Sequence, residues 1–228
     1  FREGVGAKGA PQPFTIGDAM PPSPAPKRMT WPASAVRVAQ PPTLDGEIGA
    51  EEWSNDLVRL DRDPSRWGAS GAPAFAKLAY DDTCLYVAVN VAAFDASTVS
   101  KGTAWGKDDG AEICVGGMTA DGKPANFVVR GFAGGVLQSV TDAGAPAEAA
   151  ASLGKAIRFT AKPYGKGRGG WKGEWAIPFQ ALGLKPAPGL KVPFNLSVYR
   201  GEDEVWRCWE GTLAETWKLD EAGTLQLK

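Results

Sequence analysis

Six acidic side chains stand where turns are expected, and carboxylate oxygens in loops are ligands that Ca²⁺ prefers. The six are Asp45, Glu47, Asp81, Asp82, Asp108 and Asp109. We take Asp45, Asp81 and Asp82 as candidate calcium ligands; the alternative is that these acids are solvated and cap backbone N–H groups of their turns. Acid pairs can also cleave glycosidic bonds, which requires two carboxyls about 5–10 Å apart across a cleft. Acids confined to turns do not indicate such a cleft, and we expect no catalysis.

The chain contains no His, which removes several kinds of chemistry at once. It excludes a Ser-His-Asp triad, a Cys-His nucleophile, an imidazole zinc site and a His-ligated haem. The glycine-rich run 165–170 lacks the GK[ST] order of a phosphate-binding loop. No haem and no nucleotide cofactor are therefore expected. With a net charge of −1, the chain lacks the excess of basic residues that is typical of nucleic-acid-binding proteins.

The three cysteines, Cys84, Cys114 and Cys208, are scattered and form no CxxC motif. At most one disulfide is possible. The alternative is that all of them are buried free thiols, because Cys84 and Cys114 lie within apolar runs that are typical of strands. Both interpretations stay open at the level of the sequence.

The nine tryptophans fall into two groups by their neighbours. Trp53, Trp175 and Trp206 stand in apolar patterns, and we assign them to the core. Trp105 and Trp217 stand among Gly, Lys, Asp, Glu and Thr, so we expect them to be more exposed. Exposed rings of this kind either form a surface on which a ligand stacks or serve only to anchor their loops, and the sequence is compatible with both.

Short strands separated by turn signals predict an all-β fold, in agreement with the 29 Gly and 18 Pro. Residues 75–80 and 84–91 alternate on either side of Asp81-Asp82 and predict a hairpin. Further strands are expected near 35–38, 111–115, 125–130, 135–140, 157–162, 170–177, 192–199, 205–209 and 224–227. About ten such strands favour an antiparallel β-sandwich of the jelly-roll or immunoglobulin-like kind. The segment 143–153 is rich in Ala but broken by Gly144 and Pro146, and we expect a surface loop there.

Residues 1–34 form a separate Pro-rich segment before the expected sandwich of residues 35–228. Prolines at nearly alternate positions in residues 21–26 favour an extended polyproline II arm. Such an arm is either a linker or a segment that lies against its own domain or a partner protein. The sequence contains no run of about 18 apolar residues, which is the length that would indicate a transmembrane segment. The N-terminus resembles that of an exported chain after processing, so we expect a secreted or periplasmic location.

Four segments in order resemble the family-nine carbohydrate-binding modules, a branch of the DOMON-like β-sandwiches. The segment 43–47 with Glu52-Trp53 resembles the family's opening DGE…W motif, and 78–87 resembles its acidic hairpin followed by LYV. The segment 105–113 resembles its W…D..E(I/L) strand entry, and 174–179 with 194–200 resemble its late strands. Together these segments span residues 36–228.

The resemblance implies a non-catalytic site for an oligosaccharide or polysaccharide. In sugar-binding members of the family, two Trp rings sandwich a saccharide while polar side chains bind its hydroxyls. By position these rings would be Trp105 and Trp217, with Glu112 as the acidic ligand residue and Arg130 near the arginine position. Asp109 is a further candidate for the carbohydrate-binding site. Family members often carry structural Ca²⁺.

A second interpretation keeps the sandwich but not the sugar site. The chain would then be an accessory or scaffold subunit of a larger assembly, with residues 1–34 docked on other protein subunits. The family's usual closing motif differs here over residues 218–227, which motivates this alternative.

Overall fold

The computed structural model describes residues 33–53, 56–64, 74–213 and 215–228. Within these ranges the chain forms twelve β-strands, one α-helix and a short 3₁₀ helix. The strands are β1 (Ala33–Arg37), β2 (Val58–Leu60), β3 (Ala74–Tyr80), β4 (Cys84–Ala93), β5 (Gly110–Met118), β6 (Pro124–Phe132), β7 (Leu137–Val140), β8 (Arg158–Lys166), β9 (Arg168–Pro178), β10 (Lys191–Arg200), β11 (Val205–Cys208) and β12 (Gly223–Leu227). The helix α1 spans Ala147–Ala156, and the 3₁₀ helix spans Ala96–Thr98.

The strands form two sheets that share β1. The first sheet has the order β7-β6-β5-β10-β12-β1, with β11 also paired to β10; the second has the order β1-β3-β4-β9-β8, with β2 paired to β3. The expected antiparallel sandwich is confirmed, with β1 as an exception. That strand runs parallel both to β12, where Ala33 lies opposite Leu225, and to β3, where Val36 lies opposite Ala79.

The main core lies between the sheets and fixes which side chains point outward from the first sheet. Ile113 and Val115 of β5, Val129 of β6, and Leu196 and Val198 of β10 are buried in this core. Because successive side chains of a strand point to opposite faces, the intervening residues face outward. They include Glu112, Cys114, Arg130 and Ser197. The outer face of the first sheet therefore carries polar groups under the loop that follows β11.

A buried carboxylate anchors the loop before the second strand. Glu174 of β9 is fully buried, and its Oε2 accepts the backbone N–H groups of Asp45 at 3.0 Å and Gly46 at 2.6 Å. Gly46 has a φ of 81° in this turn, which favours glycine. Segments 43–47 and 174–179, which both resemble motifs of the family, are thus joined by hydrogen bonds in the folded chain.

The prediction of a surface loop at 143–153 is wrong, because residues Ala147–Ala156 form α1. Pro146 occupies the N-cap position, where its missing N–H costs no helical hydrogen bond, and its carbonyl accepts from the Ala150 N–H at 2.9 Å. Ala150 and Leu153 are buried. A proline interpreted as a breaker marks the start of the helix instead.

Strand β1 begins at Ala33, so Ala33 and Ser34 of the expected arm belong to the sandwich. Residues 1–32 lie outside the described residues. Among the described helices, none is both long and apolar enough to cross a membrane.

Candidate functional site

A pocket of about 420 Å³ opens on the outer face of the first sheet. This size falls within the range of about 300–1,000 Å³ that is usual for small-molecule sites. Its lining consists of Pro64, Trp105, Glu112, Arg130, Trp206, Glu215, Thr216 and Trp217. Four of the residues expected to bind a ligand are therefore brought together here: Trp105, Trp217, Glu112 and Arg130.

Trp105 projects from a tight turn just before β5. The turn is closed by the Lys107 and Asp108 N–H groups, which both donate to the carbonyl of Ala104, and Gly106 has a φ of 77°. The Asp108 carboxylate also accepts the Ala104 N–H at 2.7 Å. The half-buried indole of Trp105 is thus held by a loop with several internal hydrogen bonds.

The ring of Trp105 is oriented by three neighbours. It meets Trp206 edge to face with ring centroids 5.0 Å apart, and Phe132 in the same manner at 6.3 Å. The guanidinium of Arg130 lies over the Trp105 ring, 5.0 Å from its centroid. These contacts hold the ring in place before any ligand arrives.

Glu112 and Arg130 form a buried ion pair at the base of the pocket. They lie directly opposite each other on β5 and β6, and Arg130 Nε donates to Glu112 Oε2 at 2.8 Å. The other carboxylate oxygen accepts from Thr216 Oγ1 and, at 3.6 Å, from the Cys114 thiol. Because protein donors already occupy both oxygens, Glu112 holds the base of the pocket together.

Arg130 retains one unused donor group. Its Nη2 donates to Asp142 at 2.5 Å and its Nε to Glu112, whereas Nη1 has no protein partner among the described residues. Since a guanidinium carries five N–H donors, Arg130 can bond to a ligand without giving up its ion pair.

Trp217 is positioned from β10 by an amide that the sequence analysis did not single out. Asn195 is fully buried, and its Nδ2 donates to the backbone carbonyls of Glu210 at 3.0 Å and Thr216 at 2.8 Å. Its Oδ1 accepts the Glu210 N–H at 3.2 Å. The half-buried ring of Trp217 packs against Cys114, Val128 and Leu219 beside this loop.

Trp206 was assigned to the core from its sequence pattern, and this prediction is wrong. The residue is half-buried, lines the pocket and contacts the rings of both Trp105 and Tyr199, the latter at 4.9 Å. The reason is strand register: Trp206 lies opposite Tyr199 on β10, which shares the outward face with Ser197. Trp53 and Trp175 are buried, as expected.

Asp109 does not line the pocket. Its side chain is buried and accepts the Ser100 N–H at 2.9 Å and the Gly201 N–H. Burial raises the pKa of this carboxyl despite those bonds. Asp109 therefore fastens the Trp105 loop to the β10–β11 turn.

Glu215 stands at the exposed rim of the pocket. Its carboxylate pairs with Lys218 Nζ at 2.9 Å, and this hydrogen bond lowers the pKa of Glu215. A lowered pKa is the opposite of what a general acid requires. The direction of this shift does not favour Glu215 as a general acid.

The candidate calcium ligands already have protein partners. Asp45 Oδ1 accepts the Glu47 N–H at 2.8 Å, Asp82 pairs with Arg37 at 2.7 Å, and Asp81 is the acceptor for the turn of the β3–β4 hairpin. In the described part of the chain, no three or more Asp, Glu or Cys side chains are grouped as a metal site. These turns are closed by protein hydrogen bonds and an ion pair, and calcium binding by the three acids stays a prediction.

All three cysteines are buried and free, so the interpretation as buried thiols is confirmed. Cys114 lies under the pocket, where burial and the neighbouring Glu112 carboxylate raise the pKa of its thiol.

Comparisons with known proteins agree with this fold. No curated protein matches the sequence. Two solved structures of a carbohydrate-binding module family 9 from Caldicellulosiruptor kristjanssonii are similar in fold. The complex with cellotriose has a TM-score of 0.62 at 19% identity, covering 87% of this chain and 94% of that chain. The complex with glucose has a TM-score of 0.60 at 19% identity, covering 87% and 96%.

A family model described as "Carbohydrate family 9 binding domain-like" matches residues 44–228, which include every described residue of the pocket. The chain therefore belongs to the carbohydrate family 9 binding domain-like family.

Proposed function

We propose that this chain is a non-catalytic carbohydrate-binding module of an exported protein, and that a saccharide stacks between Trp105 and Trp217. The observation that carries the proposal is that both indoles line one open pocket together with Arg130, whose Nη1 has no protein partner among the described residues. The family membership and the solved complexes of its neighbours with cellotriose and glucose support the same class of ligand.

The chemistry of a pyranose ring matches this lining. A sugar has flat patches of C–H groups, and burying them against indole faces removes apolar surface from water at about 25 cal/mol per Å². Its hydroxyls are both donors and acceptors, so they can accept from Arg130 Nη1 and donate to the exposed Glu215 carboxylate. A charge-assisted bond of this kind fixes the orientation of the ring.

Affinity for a single sugar is expected to be modest. Every hydroxyl that enters the pocket loses hydrogen bonds to water, so the net gain per bond is only about 0.5–1.5 kcal/mol. The aromatic cluster of Trp105, Trp206 and Tyr199 is already assembled, however, which limits the entropy lost on binding.

Titration of the full chain with cello-, xylo- and manno-oligosaccharides at millimolar concentration tests the proposal, with Trp fluorescence and calorimetry as readouts. We expect one of the three series to bind. Trp217→Ala should then lower the affinity by about tenfold or more, because an indole face is lost. Trp217→Phe should recover part of it, since it keeps an aromatic face.

The exposed Leu57 provides a matched control, and Leu57→Ala should leave oligosaccharide affinity unchanged. Binding that is equally strong in Trp217→Ala and the unaltered chain would overturn stacking at this pocket. No binding of any of the three series would overturn the sugar function as proposed.

The alternative of an accessory subunit rests on the Pro-rich segment, of which only Ala33 and Ser34 are among the described residues. Deleting residues 1–32 leaves β1 intact and should release the protein from its assembly if this alternative holds. Unchanged co-purification of the shortened chain would argue against it.

A further inference from the structure

A second aromatic patch lies at the end of the sandwich from which the Trp105 loop projects. It is a pocket of about 420 Å³ lined by Ala92, Ala93, Phe94, Tyr164, Arg168 and Gly169. Phe94 immediately follows β4, and the same connection leads to Trp105 before β5. The phenyl side of this patch is open, because Phe94 is 56% exposed.

Each of the two rings has a cation over one face. The guanidinium of Arg200 lies 5.2 Å from the centroid of Phe94, and Lys172 Nζ lies 5.3 Å from the centroid of Tyr164. Arg130 stands in the same relation to Trp105 in the first pocket. A cation over one face of a ring restrains the plane of that ring.

The backbone around Phe94 is held by a carboxylate. Glu202 accepts the N–H groups of Phe94 at 2.8 Å and Asp95 at 2.9 Å. Arg200 Nη1 donates to the Ala92 carbonyl at 3.1 Å. The exposed phenyl ring of Phe94 therefore stands on a restrained backbone, which limits the entropy lost when a ligand contacts the ring.

The other wall of the patch is the glycine-rich β8–β9 hairpin, which packs tightly against the 3₁₀ helix. The Ala96 N–H donates to the Gly167 carbonyl at 2.6 Å. A Cβ on Gly169 would lie 2.8 Å from that of Ala96 and 2.1 Å from the Tyr164 carbonyl, so only glycine fits. Tyr164 is fixed in turn, because its hydroxyl donates to Asn90 Oδ1 at 2.8 Å.

Arg168 supplies the polar group of the patch. Its side chain is exposed at the hairpin tip, and its guanidinium has no ion pair or hydrogen bond to the described residues. Aromatic faces together with unpaired N–H donors are the combination that binds a pyranose, which presents C–H patches and hydroxyls. A purely apolar partner would leave this guanidinium desolvated and unpaired.

We infer that Phe94, Tyr164 and Arg168 form a second saccharide contact, which binds a polysaccharide chain in addition to the Trp105–Trp217 pocket. This inference rests on the proposed carbohydrate-binding function. Two weak contacts on one rigid module raise the affinity for a polymer through effective concentration, without any change in affinity for a sugar that fills only the first pocket.

Native affinity electrophoresis of the full chain in gels that contain hydroxyethylcellulose, xylan or glucomannan tests this inference. Phe94→Ala should weaken retardation by the polysaccharide that retards the unaltered chain, raising the apparent Kd by about threefold to tenfold. Phe94→Trp should retain retardation. Leu57→Ala is the matched control, because Leu57 is also 56% exposed and lies outside both pockets.

Trisaccharide titrations of the same variants complete the experiment. We expect Phe94→Ala to bind the trisaccharide as the unaltered chain does, whereas Trp217→Ala does not. Equal retardation of Phe94→Ala, Leu57→Ala and the unaltered chain, including no retardation of any of them, would overturn the second contact. If Trp217→Ala keeps its trisaccharide affinity while Phe94→Ala loses retardation, the proposed first site fails and the second contact stands.

Discussion

The side-chain amide of Asn195 donates to the backbone carbonyl of Thr216 at 2.8 Å, and Thr216 immediately precedes Trp217. Through this bond a buried residue of β10 sets the position of an indole on a loop that has little regular structure of its own. The same amide bonds to both backbone groups of Glu210, so one side chain fastens the two ends of the segment 210–216.

Replacing Asn195 by Leu should therefore damage both stability and binding. The change removes the Asn195 donor from the Glu210 and Thr216 carbonyls and its acceptor from the Glu210 N–H, and each buried group left unsatisfied costs about 1–3 kcal/mol. We expect a lower urea midpoint together with a weaker oligosaccharide affinity. Asn126→Ala, at a half-buried position on β6, is the control and should change neither. Normal binding by a stable Asn195→Leu variant would show that the loop does not depend on this amide.

The ion pair between Glu112 and Arg130 should be far more sensitive to substitution than the exposed pairs. Glu112→Gln leaves the buried guanidinium without its charged partner on β5, and breaking a buried pair typically costs about 3–5 kcal/mol. Asp121→Asn at the exposed Lys123–Asp121 pair is the matched control, expected to cost about 0–1 kcal/mol. Denaturant unfolding measures both. Equal losses in the two variants would mean that Glu112 is not structurally required.

The stability contribution of Glu47 should depend on pH in the acid range. Hydrogen bonds from Lys162 and Lys172 lower the pKa of Glu47 from 4.5 to about 2. Because the folded pKa is the lower one, the ionised carboxylate stabilises the fold above the usual pKa, and this contribution is lost as the pH falls from 4.5 towards 2. The difference in urea midpoint between the unaltered chain and Glu47→Gln should accordingly shrink across that interval. Glu51→Gln, at an exposed position nearby, serves as a control, and a difference that is constant with pH would contradict the assignment.

Removing calcium should leave the melting temperature unchanged. Asp81 accepts the Thr83 N–H at 2.7 Å, the Cys84 N–H at 2.8 Å and the Tyr86 hydroxyl at 2.7 Å, so its oxygens already stabilise the β3–β4 hairpin. Asp81→Ala should lower the free energy of unfolding by about 1–3 kcal/mol through the loss of these bonds. Calorimetric scans in EDTA and in CaCl₂ check the point. A melting temperature that rises and saturates with added Ca²⁺ would contradict this prediction and support calcium binding.

The elements that local pattern specifies could be predicted from the sequence. The β3–β4 hairpin follows from alternation on both sides of Asp81-Asp82, and the structure pairs Tyr80 with Leu85 across that turn. Long-range relations were not accessible in the same way. Whether Trp206 points inward depends on which residue of β10 it faces, and a register of this kind is set by tertiary pairing.

In the candidate site, too, some residues could be predicted from local sequence and others could not. Trp105 and Trp217 could be singled out because their neighbours are polar, and family resemblance placed Glu112 and Arg130 beside them. Asn195 carries no such signal, because a single Asn within an apolar strand is recognised as an anchor only when the carbonyls it bonds are known. The prediction of a loop at 143–153 was wrong for a local reason, since Pro146 is tolerated at the N-cap of α1.

The parallel pairing of β1 and β12 has a mechanical consequence. Ala33 lies opposite Leu225, and the Lys228 N–H donates to the Ala35 carbonyl at 3.0 Å, so the two strands run side by side in one direction. Tension applied between residues 33 and 228 would pull these neighbours in opposite senses along their length. The hydrogen bonds of the ladder would then share the load and yield together instead of opening one after another. A module built in this way resists being stretched between residues 33 and 228.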